Sequence, residues 1–175
     1  MNYFELYNIP ESFSPDAGEV KKKFYELSRK YHPDRFTMAD EARKTEALRM
    51  SAMNNDAYKV LNNADAAMAY ILKLHGLLEE EEKYNLPPEF LMEMMELNEA
   101  ISEYEMEPEN EDVRTEATTS LQGQMEEWEA EVQPLRAKYD AASPDESLLQ
   151  QVKDYYFRKK YLLRIKERID RFAAR

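Results

Sequence analysis

The residues best suited to acid–base chemistry lie together in one short run, His32–Pro33–Asp34, within the stretch YHPDRF. A histidine and an aspartate can act as a general base and its orienting carboxylate, provided that the carboxylate reaches the imidazole. Here a proline separates the two residues, and no serine or cysteine nucleophile lies in a recognisable motif. This spacing disfavours a catalytic pair, and we predict no catalytic residues.

A metal site is disfavoured as well. The chain has no cysteine and only two histidines, His32 and His75, which are far apart in sequence. One histidine and one aspartate are too few ligands for a transition metal, and no thiolate is present to hold zinc or an iron–sulfur cluster. We therefore predict no metal and no cofactor. Two interpretations of the tripeptide stay open: a turn that ends a helix, and a loop that a partner recognises.

The segment before the tripeptide is predicted to be an amphipathic helix. Ser14 is a suitable N-cap and Pro15 a suitable first helical residue. His32 precedes a proline, which disfavours helical backbone there, so the helix should end near Tyr31. Apolar residues recur along one face, and basic residues lie largely off it and should face solvent. The apolar residues are Val20, Phe24, Leu27 and Tyr31, and the basic ones are Lys21, Lys22, Arg29 and Lys30.

The rest of the chain is also predicted to be helical, because it is rich in Glu, Lys, Leu, Met and Ala and has only 3 glycines. We predict an all-α fold, with helices from about residue 40 to Leu61 and from about residue 64 to Gly76. Four consecutive glutamates and Pro87–Pro88 mark a linker over residues 77–87. Three antiparallel helices should then form a bundle, beginning at Pro88, near Glu111 and at Ser143.

Charge divides the chain into two halves. Residues 1–75 hold 11 Lys and Arg against 11 Asp and Glu, whereas residues 76–175 hold 13 against 25, so the net charge of −12 lies in the second half. Such a chain lacks the basic field that offsets nucleic-acid phosphates, and we predict no nucleic-acid partner. No apolar run approaches the ~20 residues of a membrane span, and the N-terminus lacks targeting features. We therefore expect a cytoplasmic protein without a membrane partner.

Three stretches of the first half together resemble the J domain: YFELYNIP, VKKKFYELSRKYHPDRF and NDAYKVL. The resemblance implies an antiparallel helical hairpin with short flanking helices over residues 1–76, in a co-chaperone of DnaK-type ATPases. It also implies that the basic helix docks on the chaperone and that the tripeptide triggers ATP hydrolysis. A basic surface suits docking because it steers an acidic partner. The implied chaperone-binding residues are Lys21, Lys22, Arg29, Lys30, His32, Pro33, Asp34 and Arg35.

Two residues depart from the J-domain pattern. Glu26 lies where many J domains have a basic residue, so the docking face should be less basic than in the general family. Asn54 replaces an apolar residue that is common in the third helix of the family, and we expect local solvent exposure there.

Over essentially its whole length the chain resembles the HscB family, the J-type co-chaperones of iron–sulfur cluster assembly. The matching stretches are MNYFELYNIP, AYILKLHG and PEFLMEMMELNEAISE. The resemblance implies that the J domain engages a chaperone of the HscA kind. It also implies that a three-helix domain over residues 88–175 binds the scaffold protein IscU and presents it to the chaperone for cluster transfer. HscB itself does no chemistry on the cluster, which is consistent with a chain that lacks cysteine.

The helix that begins at Pro88 has more apolar surface than one packing stripe needs. Leucine, methionine and isoleucine cover over half of its circumference, and surplus methionine suits an adaptable protein-binding surface. A generous core stripe and solvated glutamates are the alternative interpretation. The resemblance implies scaffold contacts at Leu91, Met92, Met95, Glu96, Glu99, Glu103, Tyr156 and Phe157. The family commonly has arginine at the position of Tyr156, so that contact must be absent here or made from a different angle.

Other functions remain to be separated from this one. The strongest alternative is a J-domain co-chaperone whose acidic bundle binds a different client. An enzyme would need a polar pocket with convergent titratable groups, and the sequence shows no such set. A nucleic-acid-binding protein has only the KKK run and the basic last helix in its favour. We expect a monomer or a weak dimer.

Overall fold

A computed structural model of the chain describes residues 1–174, and these contain helices and no strands. This confirms the predicted all-α fold. A 3₁₀ helix, Pro33–Arg35, lies between the second and third α-helices. The α-helices in chain order are α1 Tyr3–Tyr7, α2 Ala17–Lys30, α3 Glu41–Leu61, α4 Ala64–Leu74, α5 Pro88–Glu93, α6 Met95–Met106, α7 Glu111–Lys138 and α8 Glu146–Ala173.

The chain divides into two compact units. Unit 1 consists of residues 1–77 together with 139–145, and unit 2 of residues 78–138 together with 146–175. In unit 1, α2 packs beside α3, and α1 and α4 also pack on α3. Within the described residues no helix combines the length and apolar composition needed to cross a membrane.

Local signals set the helix ends in unit 1. The start of α2 differs from the prediction, because Asp16 rather than Ser14 is its N-cap and accepts the Glu19 N–H at 2.8 Å. A carboxylate there also interacts favourably with the helix dipole. The end of α4 is as predicted: Gly76 has φ +69°, and the Leu77 N–H donates to the Leu72 carbonyl at 2.9 Å. This left-handed closure is one that glycine adopts without strain.

Asn54 is buried, so the expectation of solvent exposure is wrong. It is 1% exposed and is the one buried polar residue among residues 1–174. Its amide donates to the Phe24 carbonyl and to the Ser28 hydroxyl, each at 3.1 Å. The Tyr7 hydroxyl donates to the Asn54 side-chain oxygen at 2.8 Å. These bonds satisfy a polar side chain in the core and join α1, α2 and α3.

Unit 2 is built from α5–α6, α7 and α8, with α7 packed against both α6 and α8. Two helices of this unit differ from the predictions, one by an interruption and one in its start. The helix from Pro88 is interrupted at Met94, which has ψ −7° and is fully buried, and the last helix begins at Glu146, not directly after Ser143. Pro134 lies inside α7, within its last two turns.

The segment predicted as a linker packs on α8 within unit 2. The Tyr84 ring stacks on Phe157, with 4.4 Å between centroids, and its hydroxyl donates to Asp154 at 2.8 Å. Glu82 forms an ion pair with Lys153 at 2.9 Å, and both side chains are less than a fifth exposed. Residues 82–84 are thus held to α8 by a ring contact, a hydrogen bond and an ion pair.

Candidate functional site

Residues 32–35 form a short loop at the end of α2, which we call the HPD loop. The Tyr31 N–H donates to the Leu27 carbonyl at 2.9 Å and closes the helix. His32 then takes up extended backbone, with φ −62° and ψ 135°, as its position before a proline favours. Pro33 is the first 3₁₀ residue, and the Arg35 N–H donates to the His32 carbonyl at 3.0 Å. The loop is therefore fixed by its own backbone.

The His32 side chain is also held locally. The Asp34 N–H donates to Nδ1 of His32 at 3.2 Å, which makes Nδ1 an acceptor and leaves the proton of the neutral ring on Nε2. The Asp34 carboxylate lies 3.6 Å from Nδ1, beyond a hydrogen bond, and the two side chains are 57% and 89% exposed. The HPD loop thus presents an exposed N–H donor on His32 and an exposed carboxylate on Asp34. A turn with both groups suits recognition by a partner.

The basic residues predicted to flank this loop are all exposed. Within the described part of the chain none of them forms an ion pair, and Lys30 lies over the Tyr31 ring at 5.2 Å from its centroid. Glu26, the acidic departure from the family pattern, pairs with Lys23 at 3.7 Å, so a neighbouring lysine offsets its charge. The basic residues are Lys21, Lys22, Arg29, Lys30 and Arg35.

An apolar cavity beside the HPD loop was not predicted from the sequence. It measures about 460 Å³ and is lined by Tyr31, Pro33 and Phe36 from the loop side and by Ala47 and Leu48 from α3, among others. Leu48 is 71% exposed, and Met38 nearby in sequence is 97% exposed. The available signal was Leu48 itself, an apolar residue outside the α3 stripe of Met50, Met53, Ala57 and Leu61.

In unit 2 the structure brings the predicted α5 and α6 residues onto one exposed surface, the α5–α6 face. Leu91, Met92 and Met95 are 44%, 69% and 57% exposed, whereas Met94 between them is fully buried. The three glutamates of this face are also exposed, and none pairs with a cation in the described residues. The α5–α6 face consists of Leu91, Met92, Met95, Glu96, Glu99 and Glu103.

The apolar part of this face continues along α6. A groove of about 460 Å³ is lined by Met95, Asn98, Glu99, Ser102, Glu103 and Met106, and we call it the α6 groove. Met106 is 83% exposed. By contrast Glu105, on another side of α6, forms an ion pair with Arg168 of α8. Asn98, Ser102 and Met106 were not predicted, although their spacing of four residues from one another is that of a helix face.

The two predicted residues of α8 do not share this exposure. Phe157 is 9% exposed and stacks on Tyr84, and Tyr156 is half-buried and meets the Phe157 ring edge-on at 5.2 Å. Burial, followed by the hydrogen bond to Asp154, raises the pKa of Tyr84 to about 12, so it stays a neutral donor near pH 7. Phe157 is thus largely part of the packing between residues 81–86 and α8.

A second cavity opens beside Phe157. It measures about 580 Å³ and lies between residues 81–86 and α8, with Lys160, Tyr161 and Arg164 in its lining. We call it the α8 cavity. Its Tyr161 hydroxyl accepts a hydrogen bond from the Asn98 amide of the α6 groove at 2.8 Å, so the groove and the cavity are neighbours.

Carboxylates and histidines do not gather into a metal site anywhere in residues 1–174. The surfaces described above offer exposed methionine and leucine, unpaired charges and one loop fixed by its backbone, which are features suited to protein contacts.

Comparison with known proteins shows where this chain has relatives. Residues 86–170 match the family model described as the HSCB C-terminal oligomerisation domain. The chain is 40% identical over 104 residues to a co-chaperone protein HscB homolog of Vibrio vulnificus, a segment that covers 59% of this chain and 61% of the relative. It is 38% identical over 102 residues to the homolog of Vibrio cholerae, with 58% and 60% covered. The match thus spans about three fifths of the length of these curated relatives.

Two solved structures resemble the chain more extensively. The chaperone HscB from Vibrio cholerae superposes with a TM-score of 0.73 at 28% identity, covering 99% of this chain and 98% of that one. Human co-chaperone protein HscB superposes with a TM-score of 0.76 at 27% identity, covering 97% and 81%.

Proposed function

The chain belongs to the HscB co-chaperone family, and from this premise we propose that it delivers an IscU-type iron–sulfur scaffold to a DnaK/HscA-type chaperone and stimulates that chaperone's ATPase. In this proposal the chain is an adaptor that performs no chemistry itself. The observation that carries it is the presence, in separate units, of an exposed HPD loop on a basic helix and an exposed methionine-rich acidic face.

The chaperone-binding surface is proposed to be the HPD loop with Lys21, Lys22, Arg29 and Lys30. Their unpaired charges support this assignment because they are available to steer an acidic partner surface. The fixed backbone of the loop also supports it, since a pre-organised loop loses little conformational entropy on binding. ATP hydrolysis then occurs in the chaperone, in response to contact with His32 and Asp34.

The scaffold-binding surface is proposed to be the α5–α6 face, with Tyr156 and Phe157 at its α8 margin. Exposed leucine and methionine supply apolar contact area, and the unpaired Glu96, Glu99 and Glu103 select a basic edge of the partner. The proposed domains are residues 1–76 for chaperone docking, 77–87 as the connection and 88–175 for the scaffold. We place this activity in the cytoplasm and retain the prediction of a monomer or weak dimer.

The test is to measure two activities of the purified chain. Isothermal titration calorimetry with an IscU-type scaffold should give a saturable one-site curve. Single-turnover ATPase assays with the HscA-type chaperone should give a higher rate in the presence of the chain, and a higher one still with chain and scaffold together. Stimulation without scaffold binding would favour a J-domain co-chaperone for a different client, and absence of both would overturn the proposal.

A further inference from the structure

The α8 cavity differs in charge from the acidic segments of its unit. Residues 79–131 hold 19 Asp and Glu against 2 Lys and Arg, yet the cavity is lined by the cations Lys83, Lys160 and Arg164. Two carboxylates also line it, but Glu82 is already paired with Lys153 at 2.9 Å, which leaves Glu81 alone against three cations. The cavity is therefore a local positive site in an acidic unit.

The cations of the cavity have no carboxylate partner within the described residues. Lys160 lies over the rings of Tyr156 and Phe157, at 5.6 and 5.7 Å from their centroids, so aromatic contacts hold its ammonium group beside the Phe157 ring. Arg164, one helical turn further along α8, is exposed. Tyr161 accepts the hydrogen bond from Asn98, and its own O–H has no acceptor among residues 1–174, so it is available as a donor.

We propose that the α8 cavity binds a carboxylate side chain of the scaffold partner, with Lys160 and Arg164 as cationic contacts and Tyr161 as an O–H donor. The Phe157 and Tyr84 rings provide an apolar wall for the stem of that side chain or for its neighbour. Two cations and a hydroxyl match the acceptor oxygens of a carboxylate, and such charge-assisted bonds are stronger than neutral ones.

This inference rests on the proposed function, and it adds a requirement on the partner. The Asn98–Tyr161 hydrogen bond joins a lining residue of the α6 groove to one of the α8 cavity, so the two are adjacent, and Glu99 and Glu103 of the groove have no cationic partner in the described residues. One partner that covers both should carry a basic residue for the α6 groove, an acidic residue for the α8 cavity and an apolar side chain near the acidic one. Such a bipolar pattern discriminates against partners that are uniformly basic or acidic.

The experiment compares two doubly substituted chains with matched chemistry. Lys160→Glu/Arg164→Glu reverses the two α8 cavity cations, and Lys138→Glu/Arg114→Glu makes the same exchanges at exposed positions of α7 that lie outside the cavity and form no ion pair among residues 1–174. Both double substitutions change the net charge by the same amount. A difference in Kd between the two chains therefore cannot come from net charge alone. Calorimetric titration of each full chain with the IscU-type scaffold should show Kd raised about tenfold or more for the first and about twofold or less for the second.

A neutral pair, Lys160→Gln/Arg164→Gln, keeps the test valid if charge reversal disturbs the fold, and circular dichroism melting checks each chain. We expect the neutral pair also to raise the scaffold Kd, by a smaller factor than charge reversal does. Equal Kd changes in the two reversed chains, or unchanged binding by both cavity variants, would overturn this inference alone. A complete lack of scaffold binding by the unaltered chain would overturn the proposed function, and this inference with it.

Discussion

The HPD loop and the α5–α6 face differ in how they are held and in what they offer a partner. The HPD loop is polar and is fixed by backbone hydrogen bonds and by Pro33, beside unpaired cations. The α5–α6 face is apolar and acidic, and two of its three apolar residues are methionines with long flexible side chains. A fixed loop suits a signal that must be recognised in one geometry, whereas methionine suits a surface that adapts to its partner. Under the proposed function, triggering and cargo binding would therefore be assigned to two surfaces of different chemistry.

The sharpest test of this separation is His32→Gln, for which we expect complete loss of ATPase stimulation. The substitution removes the imidazole whose Nδ1 accepts the Asp34 N–H and whose Nε2 offers a donor. Single-turnover ATP hydrolysis by the HscA-type chaperone measures the loss. The Kd for the scaffold should stay within about twofold of the unaltered value, because surface changes away from an interface have small effects.

The control for that variant is the same exchange at the other histidine, His75→Gln. His75 lies in a contact with Glu11 and Tyr139 of unit 1, away from the HPD loop. Stimulation should persist in this variant. If His32→Gln stimulated as well as the unaltered chain, or lost scaffold binding to the same degree, the division of tasks would be wrong.

The opposite half of the comparison is tested by Leu91→Ala/Met95→Ala. These exposed side chains are the proposed apolar anchors of the α5–α6 face, and truncating two anchors should weaken scaffold binding by about 3 kcal/mol, or roughly a hundredfold in Kd. Calorimetric titration measures the change. Phe157 is omitted because it is buried against Tyr84, and its removal would disturb the packing of residues 81–86 as well.

A matched control exists in unit 1. Leu48→Ala/Met38→Ala removes the same two residue types from exposed positions near the HPD loop, and it should leave the scaffold Kd unchanged. A similar loss in both variants would mean that exposed apolar surface in general, rather than the α5–α6 face, determines binding.

The parts of this molecule that the sequence could predict are those set by local rules. The end of α2 follows from Pro33, the end of α4 from Gly76, and the exposure of the basic residues from the apolar stripe on α2. The parts that it could not predict depend on contacts between distant residues. The pairing of Tyr84 with Phe157 and the α8 cavity beside it require the packing of residues 81–86 on α8, for which no local pattern is diagnostic.

The burial of Asn54 is another feature that the sequence could not predict, and it marks a second difference between the two units. A polar residue at a normally apolar position suggested exposure, but its four hydrogen-bonding contacts come from residues 26 to 47 positions away. Among residues 1–174 unit 2 has no buried polar residue of this kind, and its core is apolar and aromatic. The register of α1, α2 and α3, which positions the HPD loop, is therefore set in part by a polar network.

Asn54→Ala tests that network, and we expect it to lower the free energy of unfolding by about 2–3 kcal/mol. The loss combines a small cavity with the loss of the amide's hydrogen bonds to the Phe24 carbonyl and the Ser28 hydroxyl, while the Tyr7 hydroxyl keeps the residue 54 carbonyl as an acceptor. Adding Tyr7→Phe should cost less than the sum of the two single changes, because both remove the same hydrogen bond. Urea unfolding followed by circular dichroism measures these values, with the exposed neighbour Asn55→Ala in the same helix as the matched control.

Fluorescence of the chain's single tryptophan adds a measurement of unfolding that is specific to one unit. Trp128 lies in unit 2, so its fluorescence follows that unit, whereas the circular dichroism signal follows both. Asn54→Ala should shift the circular dichroism transition to lower urea by more than it shifts the fluorescence transition. Equal shifts, or a loss no larger than that of Asn55→Ala, would show that the network does not distinguish the core of unit 1 from that of unit 2.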